Sequence, residues 1–291
     1  MPVNTVGIMS PGDMGHAVGK VLSESGLDVI TCTKDRSLRT RKLAEVAGFR
    51  QVASLSDLVS QADLILSIMV PSRAMDFAKE IAPYMNSTTS PTFYADCNAI
   101  SPQTSQSISE VINNSGGAFI DGGIIGGAPT KGDTPRFYVS GPHAAVVMEL
   151  DGKGITVKAI GDKIGQASGI KMCYAALTKG THTLHVALLT AANKMGLTED
   201  LRNEFEFSQK SHLNAMEKGI SRLPANAHRW IGEMEEIAST FEHLGVTPNF
   251  HRGAAEVYRM LNATPFAEET PETIDNDRTT WDTIEAVSNL D

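Results

Sequence analysis

The sequence predicts an α/β domain built on a doubly wound parallel sheet, followed by an all-α domain that opens with a long interdomain helix. Strand and helix patterns alternate over roughly the first 160 residues, as in parallel sheets that carry helices on both faces. The pattern then changes: from Gln166 onward there is no convincing strand signal. At 291 residues the chain is also long for a single hydrophobic core. We therefore predict domains at residues 1–163 and 164–291.

Six short apolar segments of the first domain have the pattern of strands bounded by turn residues. The clearest is residues 62–70, a run of Leu, Ile, Met and Val that is closed by Pro71. The others are residues 3–9, 27–33, 92–97, 118–121 and 136–140. Helical patterns at residues 16–25, 38–47, 73–82 and 101–113 separate the first five strands. We therefore expect a parallel sheet.

The second domain is expected to consist of helices. Ala, Leu, Met and Thr recur over residues 166–195, which at about 1.5 Å per residue gives one helix about 45 Å long, interrupted at Gly180. Further helical patterns occupy residues 199–218, 226–244 and 253–262. The tail from Thr264 is rich in acids, Thr and Pro, so we expect it to pack loosely, although Trp281 and Ile284 would suit a short docked helix.

The composition narrows the class of protein. A net charge of −9 and a pI of about 5.4 argue against nucleic acid or an anionic membrane as a partner. No apolar run approaches the roughly 20 residues that span a bilayer, and we expect neither a membrane span nor an export leader. Cys32, Cys97 and Cys173 are scattered and odd in number, which is typical of reduced thiols in a cytoplasmic protein without a metal site.

The first predicted strand runs directly into a turn that opens a helix. In such a turn, backbone N–H groups and the positive end of the helix face a dinucleotide pyrophosphate, and glycines let the backbone approach it closely. The usual motif is G-x-G-x-x-G, and Ser10 occupies the position of its first glycine in this chain. An ordinary strand-to-helix turn is the alternative. We predict a Rossmann-type cofactor site that includes Ser10, Pro11, Gly12, Asp13 and Met14.

The end of the second strand bears on which cofactor fits. An acid there suits the ribose hydroxyls of NAD, whereas cations suit the extra phosphate of NADP. Lys34, Arg36 and the Ser37 hydroxyl favour NADP(H), while Asp35 leaves NAD(H) possible. The alternative is a solvated loop in which Ser37 only caps a helix.

Two later segments also carry candidate chemistry. Residues 120–132 hold five glycines after a strand, and their freed N–H groups would form a nest for an anion or carbonyl, unless this is only a flexible loop. Lys171 lies in an otherwise apolar part of the long helix. A lysine against apolar surface can exchange a proton with a carbonyl oxygen. A lysine that reaches out to solvent is the alternative.

Four segments in order along the chain resemble the β-hydroxyacid dehydrogenases, which include 3-hydroxyisobutyrate dehydrogenase, tartronate semialdehyde reductase and the 6-phosphogluconate dehydrogenases. Residues 7–15 look like the family's cofactor turn, and residues 96–102 like its strand-end segment beside the nicotinamide. Residues 121–127 look like its substrate-binding segment, and residues 165–171 like the segment with its catalytic lysine. Residues 171–180 and 230–237 look like a 6-phosphogluconate-dehydrogenase-like branch.

The resemblance implies roles for individual residues. Lys171 would be the general acid in reduction and the general base in oxidation of a secondary alcohol or its carbonyl. The cofactor would also contact Met69, Val70, Pro71 and Asn98. The substrate would contact Asn98, Gly126, Gly127, Tyr174 and Thr178.

The chain departs from the family pattern at two positions. Ile125 stands for a serine before the glycine pair, and Ala175 for an asparagine after the lysine. Both changes remove polar groups, so a bulkier or aromatic substrate is expected. Imine reductases share this architecture, and the loss of the asparagine favours that alternative while the retained lysine opposes it. A regulatory dimer that binds NADP without catalysis is a third alternative.

A homodimer through the C-terminal helices is also expected. Apolar side chains of the long helix lie several turns beyond Lys171, out of reach of the first domain. They are Leu184, Val186, Leu188 and Leu189. A second copy of the chain is the simplest apolar surface to cover them.

Overall fold

The computed structural model describes residues 2–87, 91–129, 132–270 and 272–290. The chain divides into two compact units, Met1–Met172 and Cys173–Asp291. The predicted boundary between residues 163 and 164 precedes the long helix, whereas the two units meet inside it. The reason is that the first turns of the helix pack on the sheet of the first unit, as described below.

The first unit is built on one eight-stranded sheet in the order β3-β2-β1-β4-β5-β6-β7-β8. Its strands are β1 Thr5–Met9, β2 Asp28–Thr31, β3 Arg50–Gln51, β4 Leu64–Ser67, β5 Phe93–Asp96, β6 Ala118–Ile125, β7 Arg136–Ser140 and β8 Thr156–Ala159. The fold class predicted from the sequence is confirmed. The short edge strands β3 and β8 are additions that the sequence patterns did not reveal.

The sheet is parallel from β3 through β6, but β7 runs antiparallel to β6. The expectation of a parallel sheet is therefore wrong at this one pair, while β8 is again parallel to β7. A parallel return requires a crossover of about a dozen residues or more, usually with a helix. The connection between Ile125 and Arg136 is too short for one, so the chain turns back on itself.

Helices cover both faces of the sheet. They are α1 Asp13–Glu24, α2 Leu38–Val46, α3 Leu55–Gln61, α4 Ala74–Ile81, α5 Pro102–Asn114 and α6 Ala144–Met148. Neighbouring side chains of one strand enter different apolar clusters: Ile8 lies in one and Met9 in the other, and Leu64 and Ile65 divide in the same way. This alternation follows from the period of two along a strand and gives the domain two buried layers.

Helix α7, Gln166–Lys194, begins in the first unit and continues into the second. The remaining helices of the second unit are α8 Thr198–Ser208, α9 Lys210–Gly219, α10 Pro224–His243, α11 Asn249–Asn262 and α12 Thr280–Ser288. None of the helices in the described part of the chain is long and apolar enough to cross a membrane.

Three sequence expectations for this region are wrong. Gly180 does not interrupt α7, since one glycine costs a helix only about 1 kcal/mol. The helix predicted at residues 199–218 is two helices, because the backbone leaves the helical region at Gln209 (φ −137°). The tail contains the short docked helix expected around Trp281 and Ile284, with Ile284 and Val287 fully buried. Its expected loose packing is wrong, since Arg278 also binds Glu269 with Nη1–Oε1 and Nη2–Oε2 distances of 2.5 and 2.6 Å.

Candidate cofactor and catalytic site

The turn after β1 adopts the tight geometry expected of a pyrophosphate-binding turn. Ser10 has a φ of +58°, a left-handed conformation that favours glycine. The Gly12 N–H donates to the Ser10 carbonyl at 2.6 Å. A Cβ on Gly15 would lie 3.3 Å from the Ser10 oxygen and 3.5 Å from Ile8 Cγ2, so α1 begins close against the strand. With glycine at its N-cap, the first N–H groups of α1 can face a phosphate.

The strand order creates a crevice beside this turn. The chain passes from β1 outward to β2 and β3, and then crosses to β4 on the other side of β1. Ligands of open α/β sheets bind at such a switch point, beyond the carboxyl ends of the strands. Met69, Val70 and Pro71 follow the end of β4, where Pro71 begins a single 3₁₀ turn. The predicted cofactor segments after β1 and β4 therefore flank one crevice.

Asn98 links the ends of β4 and β5. Its Oδ1 accepts from the Met69 N–H at 2.6 Å, and its Nδ2 donates to Ser67 Oγ at 3.0 Å. Its own N–H donates to Asp96 Oδ1 at 3.0 Å, and the residue is only 2% exposed. Sequence reasoning did not foresee that this amide holds the loop after β4. Contact of Asn98 with cofactor or substrate stays a prediction.

The loop between β2 and α2 presents two cations. Lys34 is exposed and Arg36 is half-buried, and neither forms an ion pair with any residue that the structure describes. Ser37 is the N-cap of α2, its Oγ accepting from the Thr40 N–H at 3.2 Å. Arg39, which sequence analysis missed, places Nη2 2.5 Å from Asp13 Oδ1. This ion pair ties the loop to the first residue of α1.

Asp121 anchors the start of α7. This fully buried carboxylate accepts six hydrogen bonds, from the Gly165, Ala167 and Ser168 N–H groups and from the hydroxyls of Ser105, Ser140 and Ser168. The three N–H distances are 2.9, 2.9 and 3.1 Å. A carboxylate at a helix N-terminus satisfies donors that have no partner within the helix and complements the helix dipole.

Lys171 lies on α7 where the helix crosses β6. A Cβ on Gly123 would sit 2.9 Å from Lys171 Cβ and 2.9 Å from the Ala167 carbonyl oxygen. Only glycine at this position lets helix and strand come so close. Lys171 itself is half-buried. Asp121 and Gly123 on one strand thus fix the helix and the lysine, and the segments at residues 121–127 and 165–171 lie together in the first unit.

The glycine pair after β6 is engaged within its own loop. Gly126 has a φ of +118°, and the Gly127 N–H donates to Asp133 Oδ2 at 2.7 Å. Tyr174 and Thr178 lie on the part of α7 that belongs to the second unit, where Tyr174 is exposed and Thr178 Oγ1 donates to the Tyr174 carbonyl at 3.3 Å. Residues 130 and 131 of the predicted nest lie outside the described residues.

Comparison with known proteins agrees with this geometry. Residues 5–150 match the NAD-binding domain of 6-phosphogluconate dehydrogenase. An uncharacterised 28.5 kDa protein of Methanothermus fervidus is 30% identical over 196 residues, which cover 67% of this chain and 74% of that protein. The chain belongs to the β-hydroxyacid dehydrogenase-like family. Its members are NAD(P)-dependent oxidoreductases, and this chain is therefore one of them. Residues 192–261 match a domain of unknown function.

Two solved structures of other proteins are similar to this chain over most of its length. The Mycobacterium tuberculosis 3-hydroxyisobutyrate dehydrogenase with L-serine has a TM-score of 0.69 at 15% identity, covering 98% of this chain and 99% of that one. An imine reductase of Myxococcus stipitatus with NAD⁺ has a TM-score of 0.53 at 17% identity, covering 90% and 93%. At these identities the likeness shows a shared fold.

Two other titratable groups, in and just after β5, are unsuited to proton transfer. Burial raises the pKa of the Cys97 thiol well above its ordinary value, and the Asp96 and Asp121 carboxylates raise it further. Burial and Asp96 likewise raise the pKa of Tyr94. Both groups stay neutral at physiological pH. Among the described residues there is also no group of three His, Cys, Asp or Glu side chains arranged to hold a metal ion.

Proposed function

We propose that this chain is an NADP(H)-preferring oxidoreductase that moves a hydride between a nicotinamide and a secondary alcohol or its carbonyl. The bound cofactor would supply the hydride. Ser10 to Met14, Met69 to Pro71 and Asn98 would hold it along the crevice between β1 and β4, while Lys34, Arg36 and Ser37 would bind its extra phosphate. Lys34 and Arg36, which form no ion pair with any described residue, support NADP(H) over NAD(H), although Asp35 in the same loop does not exclude NAD(H).

The single observation that carries the proposal is the position of Lys171. Its backbone is fixed against β6 by the missing side chain of Gly123 and by the cap that Asp121 makes on α7. A lysine held at this edge of the sheet would donate a proton to the carbonyl oxygen in reduction and accept it in oxidation. The substrate would also meet Gly126, Gly127, Tyr174 and Thr178.

Replacing Lys171 tests the proposal directly. General acid–base groups typically contribute about 10²–10⁴-fold to a rate. We expect Lys171→Ala to lower kcat by at least about 100-fold while the Kd for NADPH, measured by fluorescence titration, changes little. Lys163→Ala, which removes an exposed lysine just before α7, is the control and should keep full activity. Near-full turnover by Lys171→Ala would show that Lys171 only reaches out to solvent.

Imine reduction on the same site is the second candidate. Ala175, in place of the family asparagine, and the fold shared with an imine reductase favour it. The retained lysine favours carbonyl chemistry. A panel of ketones, aldehydes, β-hydroxyacids and cyclic imines, followed by oxidation of NADPH and NADH or by their formation, separates the two reactions.

We further propose that the chain acts as a homodimer through its C-terminal helices. In the second unit, α7 and α11 line an open apolar groove of about 490 Å³. Three side chains that line it are largely exposed: Leu177 at 70%, Leu184 at 62% and Phe250 at 79%. Four residues were expected to need a second copy, and for Val186 and Leu189 this is wrong, because both are buried within the unit. Leu188 is half-buried and Leu184 is largely exposed. Exposed apolar patches of this kind mark interfaces.

A further inference from the structure

Two of the residues predicted to bind the substrate, Gly127 and Asn98, are already hydrogen-bonded within the first unit. The Gly127 N–H donates to Asp133, and the Asn98 amide binds Ser67 at the end of β4 and the Met69 N–H just after it. Ile125 and Ala175 have no polar side-chain group to add. A substrate with a charged group therefore needs another partner near Lys171.

The register of β6 and β7 identifies the side chains that share a face with Lys171. On β6, Asp121 and Gly123 both contact the start of α7, and Ile125 is next in the same alternation. Residues directly opposite each other in an antiparallel pair lie on one face. These opposite residues are Ser140, Tyr138 and Arg136. The Ser140 hydroxyl, 2.8 Å from Asp121 Oδ2, agrees with this assignment.

Arg136 lies opposite Ile125, one position along the face from the Gly123–Tyr138 pair beside Lys171. It is half-buried, whereas its neighbour Phe137 points into the core on the other face and is fully buried. Gly123 is two residues before Ile125 on β6, and Arg136 lies across from Ile125 on β7. This displacement corresponds to roughly 8 Å between the Cα atoms of Gly123 and Arg136. A long arginine side chain can thus reach a group held near Lys171.

The charge of Arg136 has no partner in the described part of the protein. Its guanidinium forms no ion pair and no side-chain hydrogen bond there. Seven other arginines each pair with an acid: Arg39, Arg50, Arg73, Arg202, Arg252, Arg259 and Arg278. The carboxylate on the same face, Asp121, is already saturated by six donors, and the α7 segment from Gln166 to Met172 contains no acid.

We infer that Arg136 binds an oxyanion group of the substrate, a carboxylate or a phosphate, while Lys171 exchanges a proton with the oxygen of the reacting carbonyl. The guanidinium presents donors in a planar fork that matches either group bidentately. The inference rests on the proposed function and adds to it a specificity-determining residue. It also explains how a site that has lost the serine and the asparagine of its family still recognises an anion.

The test compares a keto acid with its methyl ester, using NADPH and the wild-type, Arg136→Gln, Arg136→Lys and Lys158→Gln proteins. Lys158 lies opposite Tyr138 on β8, so its variant removes the same charge one strand further away. We expect Arg136→Gln to raise the KM of the acid about 10- to 100-fold, with kcat and the KM of the ester nearly unchanged. Arg136→Lys should recover part of the loss, and Lys158→Gln should behave as wild type.

A second readout does not depend on turnover. Malonate and inorganic phosphate are titrated calorimetrically into the protein loaded with NADP⁺. Tighter binding of either anion by wild type than by Arg136→Gln supports the inference, and the anion that binds better identifies the group. Equal binding of both anions by the two proteins overturns it, as does an equal KM change for acid and ester. If no carbonyl turns over, the proposed function fails while this titration still tests Arg136.

Discussion

Ser10 has a backbone conformation that its side chain disfavours. A residue other than glycine in the left-handed conformation destabilises the folded state by about 1–2 kcal/mol, which a substitution by glycine removes. Glycine also makes the unfolded chain more flexible, which offsets roughly 0.5–1 kcal/mol of this stabilisation. We expect Ser10→Gly to raise the free energy of unfolding by about 0.5–1 kcal/mol. The measurement is a urea titration without cofactor, read as a higher midpoint at an unchanged slope.

Ser25→Gly is the matched control for this substitution. Ser25 has a φ of −87°, and its hydroxyl donates to the Val21 carbonyl at 2.8 Å. Its replacement should therefore lower the midpoint. If both variants lose stability equally, Ser10 is not strained in solution.

Arg36 is expected to determine the preference for NADPH over NADH. The loss of one charge-assisted contact to a phosphate costs about 1.5–3 kcal/mol, which is a factor of roughly 10 to 100 in Kd. We expect Arg36→Ala to weaken NADPH by that factor and to change NADH little, as measured by fluorescence titration. Arg41→Ala, on the exposed side of α2, is the control. Equal effects on both cofactors would mean that the loop is only solvated and does not bind the extra phosphate, which leaves Asp35 to select NAD.

The contact between β6 and α7 is the element-scale feature that positions Lys171. A Cβ on Gly123 meets the Ala167 carbonyl at 2.9 Å, and a backbone oxygen in a helix cannot turn aside. Gly123→Ala must therefore push α7 outward by a few tenths of an ångström. Since a misplacement of about 1 Å can cost 10²-fold in rate, we expect kcat to fall roughly tenfold or more, with the Kd for NADPH unchanged.

Gly169→Ala provides the control within the same helix. A Cβ there lies 3.8 Å from Pro102 Cγ, an ordinary contact, so this variant should keep kcat and gain up to about 1 kcal/mol of helix stability. Stopped-flow measurement of NADPH oxidation compares the two variants. A Gly123→Ala enzyme with wild-type kcat would mean that the position of α7 on β6 does not control the lysine.

At the scale of the whole molecule, the exposed apolar groove of the second unit leads us to expect a homodimer with an interface on the order of 2,000 Å². A charge buried without a partner strongly opposes association, so Leu184→Glu should sediment as a monomer. Leu38→Glu changes an even more exposed leucine of the first unit and should remain dimeric. Dilution should reduce activity and stability together. A fully active wild-type monomer at micromolar concentration in sedimentation velocity would contradict the proposal.

Much of the first unit was predictable because local patterns specify it. The continuous apolar run of β4, the turn after β1 and the serine caps at Ser37 and Ser101 each involve residues within a few positions of one another. The antiparallel β7 was not predicted, since strand direction depends on what the connection permits in space. The split at Gln209 was missed for the same reason, because packing overrode local composition. The tail was expected to pack loosely apart from a short docked helix at Trp281 and Ile284, and only that helix was anticipated.

The sequence by itself determined the fold class, the family and the candidate residues. Strand and helix periods, glycine turns and ordered motifs each depend on residues that are close together in the sequence. Only the tertiary structure revealed what surrounds those residues. Asp121 caps a helix 46 positions away, and Arg136 comes to the face of Lys171 through the register of two strands. Such contacts depend on the paths that the backbone takes between distant segments, and no local pattern records them.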